Sequence, residues 1–132
     1  MSKKTFIIYK SSAGSGKTYT LAMEYLKLAL AHPFAFRQIL AVTFTNKATK
    51  EMKERILEEL KRLTHTINPE SMLDGTLLKH WQITEEQLKK RAGEVLSAVL
   101  HHYSDFSIST IDSFFQRVVR AFAREIDLQA KF

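Results

Sequence analysis

The sequence predicts an α/β protein in which short strands alternate with helices around a parallel sheet. Apolar segments of strand length occur at residues 5–10, 39–44 and 106–110, and amphipathic segments of helical length separate them. Only four glycines and two prolines interrupt the chain, and both prolines lie between periodic segments. Strands that alternate with helices are joined by right-handed crossovers, so these strands are expected to lie parallel in one sheet.

Length and composition exclude several classes of protein. With 132 residues, 45% of them hydrophobic, the chain can bury one packed core. It has no cysteine, which excludes a disulfide scaffold and a thiol nucleophile. The apolar run at residues 6–9 is too short for a signal peptide, and no uncharged segment approaches the ~18 residues of a membrane helix. We therefore expect a cytoplasmic protein without a membrane span.

The charge distribution is compatible with a polyanionic partner. The net charge is +6. Basic residues are concentrated in residues 1–65, whereas acidic residues outnumber basic ones in residues 66–105. A positive region of this kind is compatible with nucleic acid, although charge alone is weak evidence for it.

The first half of the chain is expected to form two crossover units. A helix is predicted over residues 17–31, and the strand at residues 39–44 is apolar almost throughout, as in a strand covered on both faces. A long helix is predicted over residues 47–65, with Asn46 as its N-cap and the pairs Glu51–Arg55 and Glu58–Arg62 on its polar face. Its apolar positions recur about every four residues: Ala48, Met52, Ile56, Leu60 and Leu63.

The second half predicts an insertion followed by a return to the sheet. Residues 66–83, which contain Pro69 and Gly75, are expected to form a loop, and Thr84 is expected to cap a helix that ends near residue 103. The last helix is predicted to begin at Asp112 or Ser113, with its aromatic residues in the core: Phe114, Phe115 and Phe122. We thus divide the chain into a core segment 1–65, a mostly helical insertion 66–105 and a core segment 106–132.

Residues 11–18, with the sequence SSAGSGKT, carry the most specific chemical signal. They follow an apolar strand and open a helix, and they contain two of the four glycines. In this context the N–H groups of a glycine-rich turn surround phosphate oxygens, Lys17 reaches the β- and γ-phosphates, and the Thr18 hydroxyl completes the coordination shell of Mg²⁺. The strict pattern has glycine where this chain has Ser11. The predicted phosphate-binding residues are Ser12, Ala13, Gly14, Ser15, Gly16, Lys17 and Thr18, of which Lys17 and Thr18 are the catalytic candidates.

Polar groups also follow the second strand. Thr43, Thr45 and Asn46 could hold a backbone phosphate of a nucleic acid, and Phe44 could stack on a base. An ordinary structural role is equally compatible with these residues, because threonine and asparagine are common capping residues and Phe44 could belong to the core.

The third strand ends in the same way, at Thr110 and Ser113. These two hydroxyls could contact phosphate, whereas Asp112 and Ser113 could instead only cap the last helix. The carboxyl ends of parallel strands meet at one edge of a sheet, which is where such sheets bind ligands. We therefore expect the three polar strand ends to share one binding edge.

Taken together, these motifs resemble those of the UvrD-like superfamily 1 DNA helicases, most closely the RecB/AddA-type helicase–nuclease subunits. Residues 12–18 look like the first motif of that family. Residues 40–56, LAVTFTNKATKEMKERI, are similar to its next motif nearly residue for residue, and residues 110–114 resemble the following DNA-contacting motif.

The resemblance implies a fold, a cofactor and a substrate. It implies a RecA-like P-loop NTPase sheet, Mg-ATP bound by residues 14–18, and single-stranded DNA bound by Thr43, Phe44, Thr45, Asn46, Thr110 and Ser113. The implied activity is ATP-driven translocation on single-stranded DNA during double-strand break repair and recombination, with a helicase–nuclease partner subunit. The family usually has histidine where this chain has Asp112, so no DNA contact is transferred to that side chain.

The resemblance also implies that the motor is incomplete here. The acidic magnesium motif, the arginines of a second motor domain and the nuclease site lie further along the family's chains. We therefore expect an N-terminal piece that binds nucleotide weakly without hydrolysing it, and whose open sheet edges favour self-association. Two alternatives are a small P-loop phosphotransferase, with Asp112 as the metal carboxylate, and a non-catalytic nucleotide-binding module.

Overall fold

The computed structural model describes residues 5–8 and 15–130, with side chains described for residues 19–127. The strands are β1 (Thr5–Ile8), β2 (Ile39–Thr43) and β3 (Ile108–Thr110). The helices are α1 (Ser15–Ala29), α2 (Asn46–His65), α3 (Met72–Trp81), α4 (Glu85–His101) and α5 (Ile111–Ala130). Two short 3-10 helices, Ala35–Gln38 and Tyr103–Asp105, precede β2 and β3.

The strands form one parallel sheet in the order β1-β2-β3. Ile8 pairs with Val42, and Thr43 pairs with Thr110, so the carboxyl ends of all three strands lie at the same edge. This arrangement confirms the predicted α/β class with a parallel sheet and crossover helices. The last strand is shorter than predicted, because it begins at Ile108 rather than at Phe106. Phe106, which is buried, and Ser107, which is half-buried, belong to the connection that precedes the strand.

The core lies mainly on one face of the sheet. Ile39 and Ala41 of β2 and Ile108 of β3 join a single cluster with buried side chains from α1, α2, α3 and α4. Alternate residues of a strand point to opposite faces, and Leu40, which lies between Ile39 and Ala41, instead lines a space beneath α5 with Phe114 and Val118. All five residues of β2 are buried, in agreement with the prediction that it is covered on both faces.

The start of α2 differs from the prediction by one residue. Thr45, in an extended conformation, is the N-cap, and its Oγ1 accepts a hydrogen bond of 3.0 Å from the Ala48 N–H. Asn46 is therefore the first helical residue, and its assignment as N-cap was wrong. The predicted ion pairs are also replaced, because Glu59 contacts both Arg55 at 3.9 Å and Arg62 at 2.8 Å.

Residues 66–83 do not form the predicted loop, because α3 occupies Met72–Trp81. Ser71 caps this helix by accepting from the Asp74 N–H, and Gly75 lies inside the helix rather than in a loop. Trp81 ends the helix and donates from Nε1 to the Lys27 carbonyl at 3.0 Å, which ties α3 to α1. Serine followed by aspartate three residues later was the sequence signal that indicates this helix.

A charged contact anchors α3 on α2. Arg62 donates to both carboxylate oxygens of Asp74, at 2.7 and 3.0 Å, and Asp74 is fully buried. The Asn68 N–H also donates to Asp74 at 2.8 Å. The hydrogen bonds to Asp74 outweigh the opposing effect of burial and raise the pKa of Arg62 above its ordinary value. Buried residues of α3 and α4, within the segment 66–105, belong to the same core cluster as β2 and β3.

The other predicted helices are present with adjusted ends. Thr84 caps α4 through a reciprocal capping box with Gln87, as the sequence predicted for this threonine. The last helix begins at Ile111. The prediction that Phe115 and Phe122 are core residues was wrong, because they are 59% and 65% exposed, whereas Phe114 is half-buried. No helix in the described part of the chain is long and apolar enough to cross a membrane.

Candidate nucleic-acid interface

The candidate interface is built where β2 and β3 end side by side. Thr43 and Thr110 are paired across the two strands, and both are buried, with exposed fractions of 5% and 8%. Their hydroxyls therefore face neighbouring protein atoms rather than solvent. The structure brings the predicted residues of the second and third strands together at this edge, as their place at parallel strand ends requires.

Thr43 organises the turn that leads into α2. Its Oγ1 lies 2.6 Å from the Thr49 Oγ1, 3.2 Å from the Thr45 carbonyl oxygen and 3.5 Å from the Ser109 carbonyl oxygen. Thr49 also donates to the Thr45 carbonyl at 3.2 Å. This hydroxyl cluster joins the end of β2, the first turn of α2 and the end of β3. Thr43 is therefore placed to position the exposed residues that follow it.

Phe44, Thr45 and Asn46 form the accessible part of the interface. Phe44 has 47% of its surface exposed, so it is not a core residue and its ring is open to a ligand. Thr45 and Asn46 are also exposed, although the Thr45 hydroxyl oxygen already accepts the capping hydrogen bond from Ala48. The structure thus shows that Thr45 caps the helix and that its side chain remains exposed.

At the end of β3, Thr110 and Ser113 bind each other. The Thr110 hydroxyl donates to the Ser113 Oγ at 2.9 Å and accepts from the Ser113 N–H at 3.2 Å. Ser113 is exposed, and so is Asp112. Arg117 donates to the Ser109 Oγ at 2.9 Å, which adds a cation beside this strand end. Sequence reasoning did not single out Arg117, although its position one helical turn beyond Ser113 is the available signal.

The start of α2 is electropositive. No acidic residue lies in its first turn, where the backbone N–H groups and the helix dipole favour anions. Lys47, Lys50 and Lys53 follow at intervals of three residues, and the first two are exposed. The sequence alone does not identify these lysines as site residues, because only the structure shows that the first turns of α2 lie beside the end of β2.

The phosphate-binding motif is described only in part. Ser12, Ala13 and Gly14 lie outside the described residues, and the side chains of Lys17 and Thr18 lie outside the described side chains. The backbone places Ser15, Gly16, Lys17 and Thr18 in the first turn of α1, which contains no acidic residue. A helix N-terminus without acidic groups fits the phosphates of a nucleotide with Mg²⁺. Among the described residues, no group of three or more histidine, aspartate or glutamate side chains is arranged to hold a metal ion.

The known proteins that are similar in sequence to this chain include RecB subunits of the RecBCD enzyme and a subunit of an ATP-dependent helicase/nuclease. The chain is 28% identical to the RecBCD enzyme subunit RecB of Borreliella burgdorferi over 123 residues. This segment covers 93% of this chain and 10% of that protein. It is 31% identical over 128 residues to an ATP-dependent helicase/nuclease subunit of Bacillus mycoides, with 96% of this chain and 8% of that protein covered. RecB of Escherichia coli K12 is 30% identical over 126 residues, which cover 89% of this chain and 10% of that protein.

These relatives are much longer than the chain, which spans about a tenth of their length. No solved structure matches the chain at the significance that these relatives reach. The family model of the UvrD/REP helicase N-terminal domain matches residues 1–132. Because that match covers the chain from end to end, the protein belongs to the UvrD/REP helicase family, and its residues correspond to the N-terminal domain of that family.

Proposed function

We propose that this chain is the part of an ATP-dependent DNA helicase that binds the nucleotide phosphates and one stretch of single-stranded DNA. The helicase would translocate on single-stranded DNA in double-strand break repair and recombination. The observation that supports this proposal best is the pairing of Thr43 with Thr110, which gathers exposed Phe44, Asn46 and Ser113 at one edge of a parallel sheet.

Each group at this edge has a distinct proposed role. Phe44 offers its ring to a base, since base–aromatic stacking is tolerant of sequence. Asn46, Thr45 and Ser113 donate to backbone phosphates, which position a strand without reading its sequence. Thr43 and Thr110 are buried and act by positioning these exposed residues through the hydrogen bonds of the two turns.

The nucleotide part of the proposal rests on the motif and on α1. When bound, Mg-ATP supplies the free energy for translocation. The N–H groups of Ser12, Ala13, Gly14, Ser15 and Gly16 would bind phosphate oxygens, with Lys17 as a cation and Thr18 as a hydroxyl ligand of Mg²⁺. The first turn of α1 supports this role because it carries no acidic residue that would repel the phosphates.

The relatives also suggest the molecular setting. Their names describe subunits of larger enzymes, among them an ATP-dependent helicase/nuclease, so we propose that the whole protein hydrolyses ATP and works with a partner subunit. The cytoplasmic location expected from the sequence belongs to the same proposal. The phosphotransferase and nucleotide-binding scaffold alternatives are not favoured, because the relatives and the family model are those of helicases.

DNA binding is tested with Phe44→Ala and a matched control. Binding of a fluorescein-labelled oligothymidylate to the 132-residue chain is measured by anisotropy. Loss of one stacked base is expected to weaken binding by about 1–3 kcal/mol in Phe44→Ala. Phe34→Ala is the control, because Phe34 is a phenylalanine of similar exposure, 42%, away from this edge. Equal affinity of the Phe44→Ala and Phe34→Ala variants would contradict the proposed interface.

Nucleotide binding is tested with Lys17→Ala. Removal of the ammonium group is expected to abolish binding of a fluorescent ATP analogue in the presence of Mg²⁺, because the β- and γ-phosphates lose their cation. The chain by itself is expected to show no steady-state ATP hydrolysis. Magnesium-dependent turnover that disappears in Lys17→Ala would refute that second expectation, and unchanged nucleotide affinity would refute the first. Lys27→Ala, later in α1, is the control.

A further inference from the structure

A groove beside α2 continues from the interface already described. It encloses about 390 Å³ and is lined by Asn46, Thr49, Lys50, Lys53, Leu57 and Tyr103. Asn46 belongs both to this groove and to the end of β2. The groove, which we call the α2–Tyr103 groove, therefore starts at the sheet edge and follows α2 for about three turns.

The charge of the groove is predominantly positive. Lys50 and Lys53 both line it, and Glu54 is the acidic residue among its lining residues. Neither lysine forms a salt bridge within residues 19–127, where side chains are described. Their ammonium groups are available to an anion, and the Asn46 amide and the Thr49 hydroxyl add uncharged polar groups.

Tyr103 adds an aromatic surface to this basic groove. Its ring is 45% exposed, and the Lys53 ammonium lies 5.4 Å from the ring centroid. The buried ring of Phe106 contacts it edge-to-face at 5.8 Å, which fixes its position. A basic groove with a fixed, partly exposed aromatic ring has the composition of sites that bind single-stranded nucleic acid.

We propose that the α2–Tyr103 groove binds the nucleotides adjacent to those held at the ends of β2 and β3. This inference rests on the proposed function, because it extends the same single strand beyond Phe44 and Asn46. Lys50 and Lys53 contact its phosphates, and Tyr103 contacts a base or sugar. Asn46 and Lys53 are separated by about 10 Å along the helix axis, so the contacts form a continuous track.

The test compares Lys53→Ala with Lys61→Ala. Both lysines lie on α2, and Lys61 lies outside the groove. Affinity for an oligothymidylate is measured by anisotropy at several salt concentrations. Affinity falls as the salt concentration rises, and Lys53→Ala is expected to make the slope of log affinity against log salt less steep by about 0.7, the value for one phosphate contact on a single strand. Lys61→Ala is expected to keep the parental slope.

Photocross-linking locates the track independently. An oligonucleotide that carries 5-iodouracil is irradiated with the parental chain, and the cross-linked peptides are identified by mass spectrometry. Cross-links to Tyr103 in addition to Phe44 are expected. The Tyr103→Ser variant is expected to lose its cross-link and to bind at least about fivefold more weakly, whereas Tyr103→Phe is expected to retain the parental affinity. Circular dichroism verifies that each variant is folded.

The two proposals fail in different ways. If Phe44→Ala weakens binding but Lys53→Ala behaves like Lys61→Ala and no cross-link reaches Tyr103, the groove inference is overturned and the proposed interface stands. If the parental chain does not bind the oligonucleotide, both the proposed function and the groove inference are overturned.

Discussion

Tyr25 in α1 is a buried residue with an unusual environment. It is 1% exposed, and its hydroxyl has no hydrogen-bond partner among the residues whose side chains are described. Its ring packs edge-to-face on Phe106 at 5.7 Å. Burial raises the pKa of Tyr25 well above its ordinary value, because the phenolate would be formed away from water. An unpaired buried hydroxyl lowers stability, whereas the aromatic ring contributes to the core.

Tyr25→Phe is therefore expected to raise the free energy of unfolding by about 1 kcal/mol, measured by urea denaturation at pH 7. Because the pKa of Tyr25 is higher in the folded state, the unfolded state loses this proton first. The free energy of unfolding of the parental protein is therefore unaffected by this titration below pH ~10, the ordinary pKa of tyrosine, and it falls as the pH rises above that value. The variant is expected to lack this alkaline decrease. Tyr103→Phe, at an exposed ring, is the control, and an alkaline decrease that persists in Tyr25→Phe would contradict the prediction.

Gly75 in α3 and Gly93 in α4 differ in what surrounds them. A Cβ added at Gly75 would lie 2.8 Å from the Pro69 carbonyl oxygen, which is shorter than a van der Waals contact. A Cβ added at Gly93 would meet the Thr64 methyl group at 3.8 Å, an ordinary contact. Glycine at position 75 thus allows the chain before α3 to approach that helix closely, whereas position 93 has no such need.

Gly93→Ala is expected to stabilise the protein by about 0.5–1 kcal/mol, because alanine restricts the unfolded chain and favours helix. Gly75→Ala is expected to destabilise it, since backbone atoms of Pro69 must move. Thermal unfolding of the two variants beside the parent measures both effects, and each variant serves as the control for the other. Stabilisation by both substitutions would show that the contact at Gly75 is not restrictive.

The sequence predicted some helices correctly and missed one of them, α3. The helix that became α4 was predicted from Thr84 and its apolar spacing because its cap and periodicity are local features. α3 was missed because Pro69 and Gly75 are typical of loops, and only the contact with Pro69 explains the glycine. The Arg62–Asp74 contact joins residues of different helices, so its geometry depends on tertiary packing that no periodicity contains.

The candidate site shows the same division. The parallel sheet and the grouping of Thr43 with Thr110 at one edge followed from alternating strands and helices and from the parallel-sheet rule. The partial exposure of Phe44 and the burial of Thr43 did not, because apolar and hydroxyl residues at a strand end are compatible with either environment. Arg117 and Tyr103 join the site region from outside the recognised motifs, through helix geometry and through packing on Phe106.

At the scale of the whole molecule, apolar surface remains exposed on α5. Within residues 111–127 of this helix, five large apolar side chains are 46–65% exposed: Phe115, Val118, Val119, Phe122 and Ile126. In the described sheet, β1 and β3 each have one neighbouring strand. Exposed apolar faces and strand edges both favour association with another chain. These features are compatible with the self-association expected from the sequence.

The chain is therefore expected to form oligomers whose mass rises with concentration, measured by size-exclusion chromatography with light scattering. The double variant Val119→Glu/Phe122→Glu is expected to shift the mass towards the monomer, because it places charge on the apolar face of α5. Arg120→Glu is the control on the same helix. A monodisperse monomer for the parental chain would contradict the prediction, and an unchanged mass for the double variant would assign the contact to the strand edges.

Tyr19 follows directly after Thr18 in α1, and its phenol oxygen accepts the Leu73 N–H of α3 at 3.1 Å. The Arg55 guanidinium of α2 lies 5.8 Å from the ring centroid. The residue next to the expected magnesium ligand is thus attached to a helix 54 positions away. Amide hydrogen exchange at Leu73 consequently offers a remote reporter of whether the start of α1 has accepted a nucleotide.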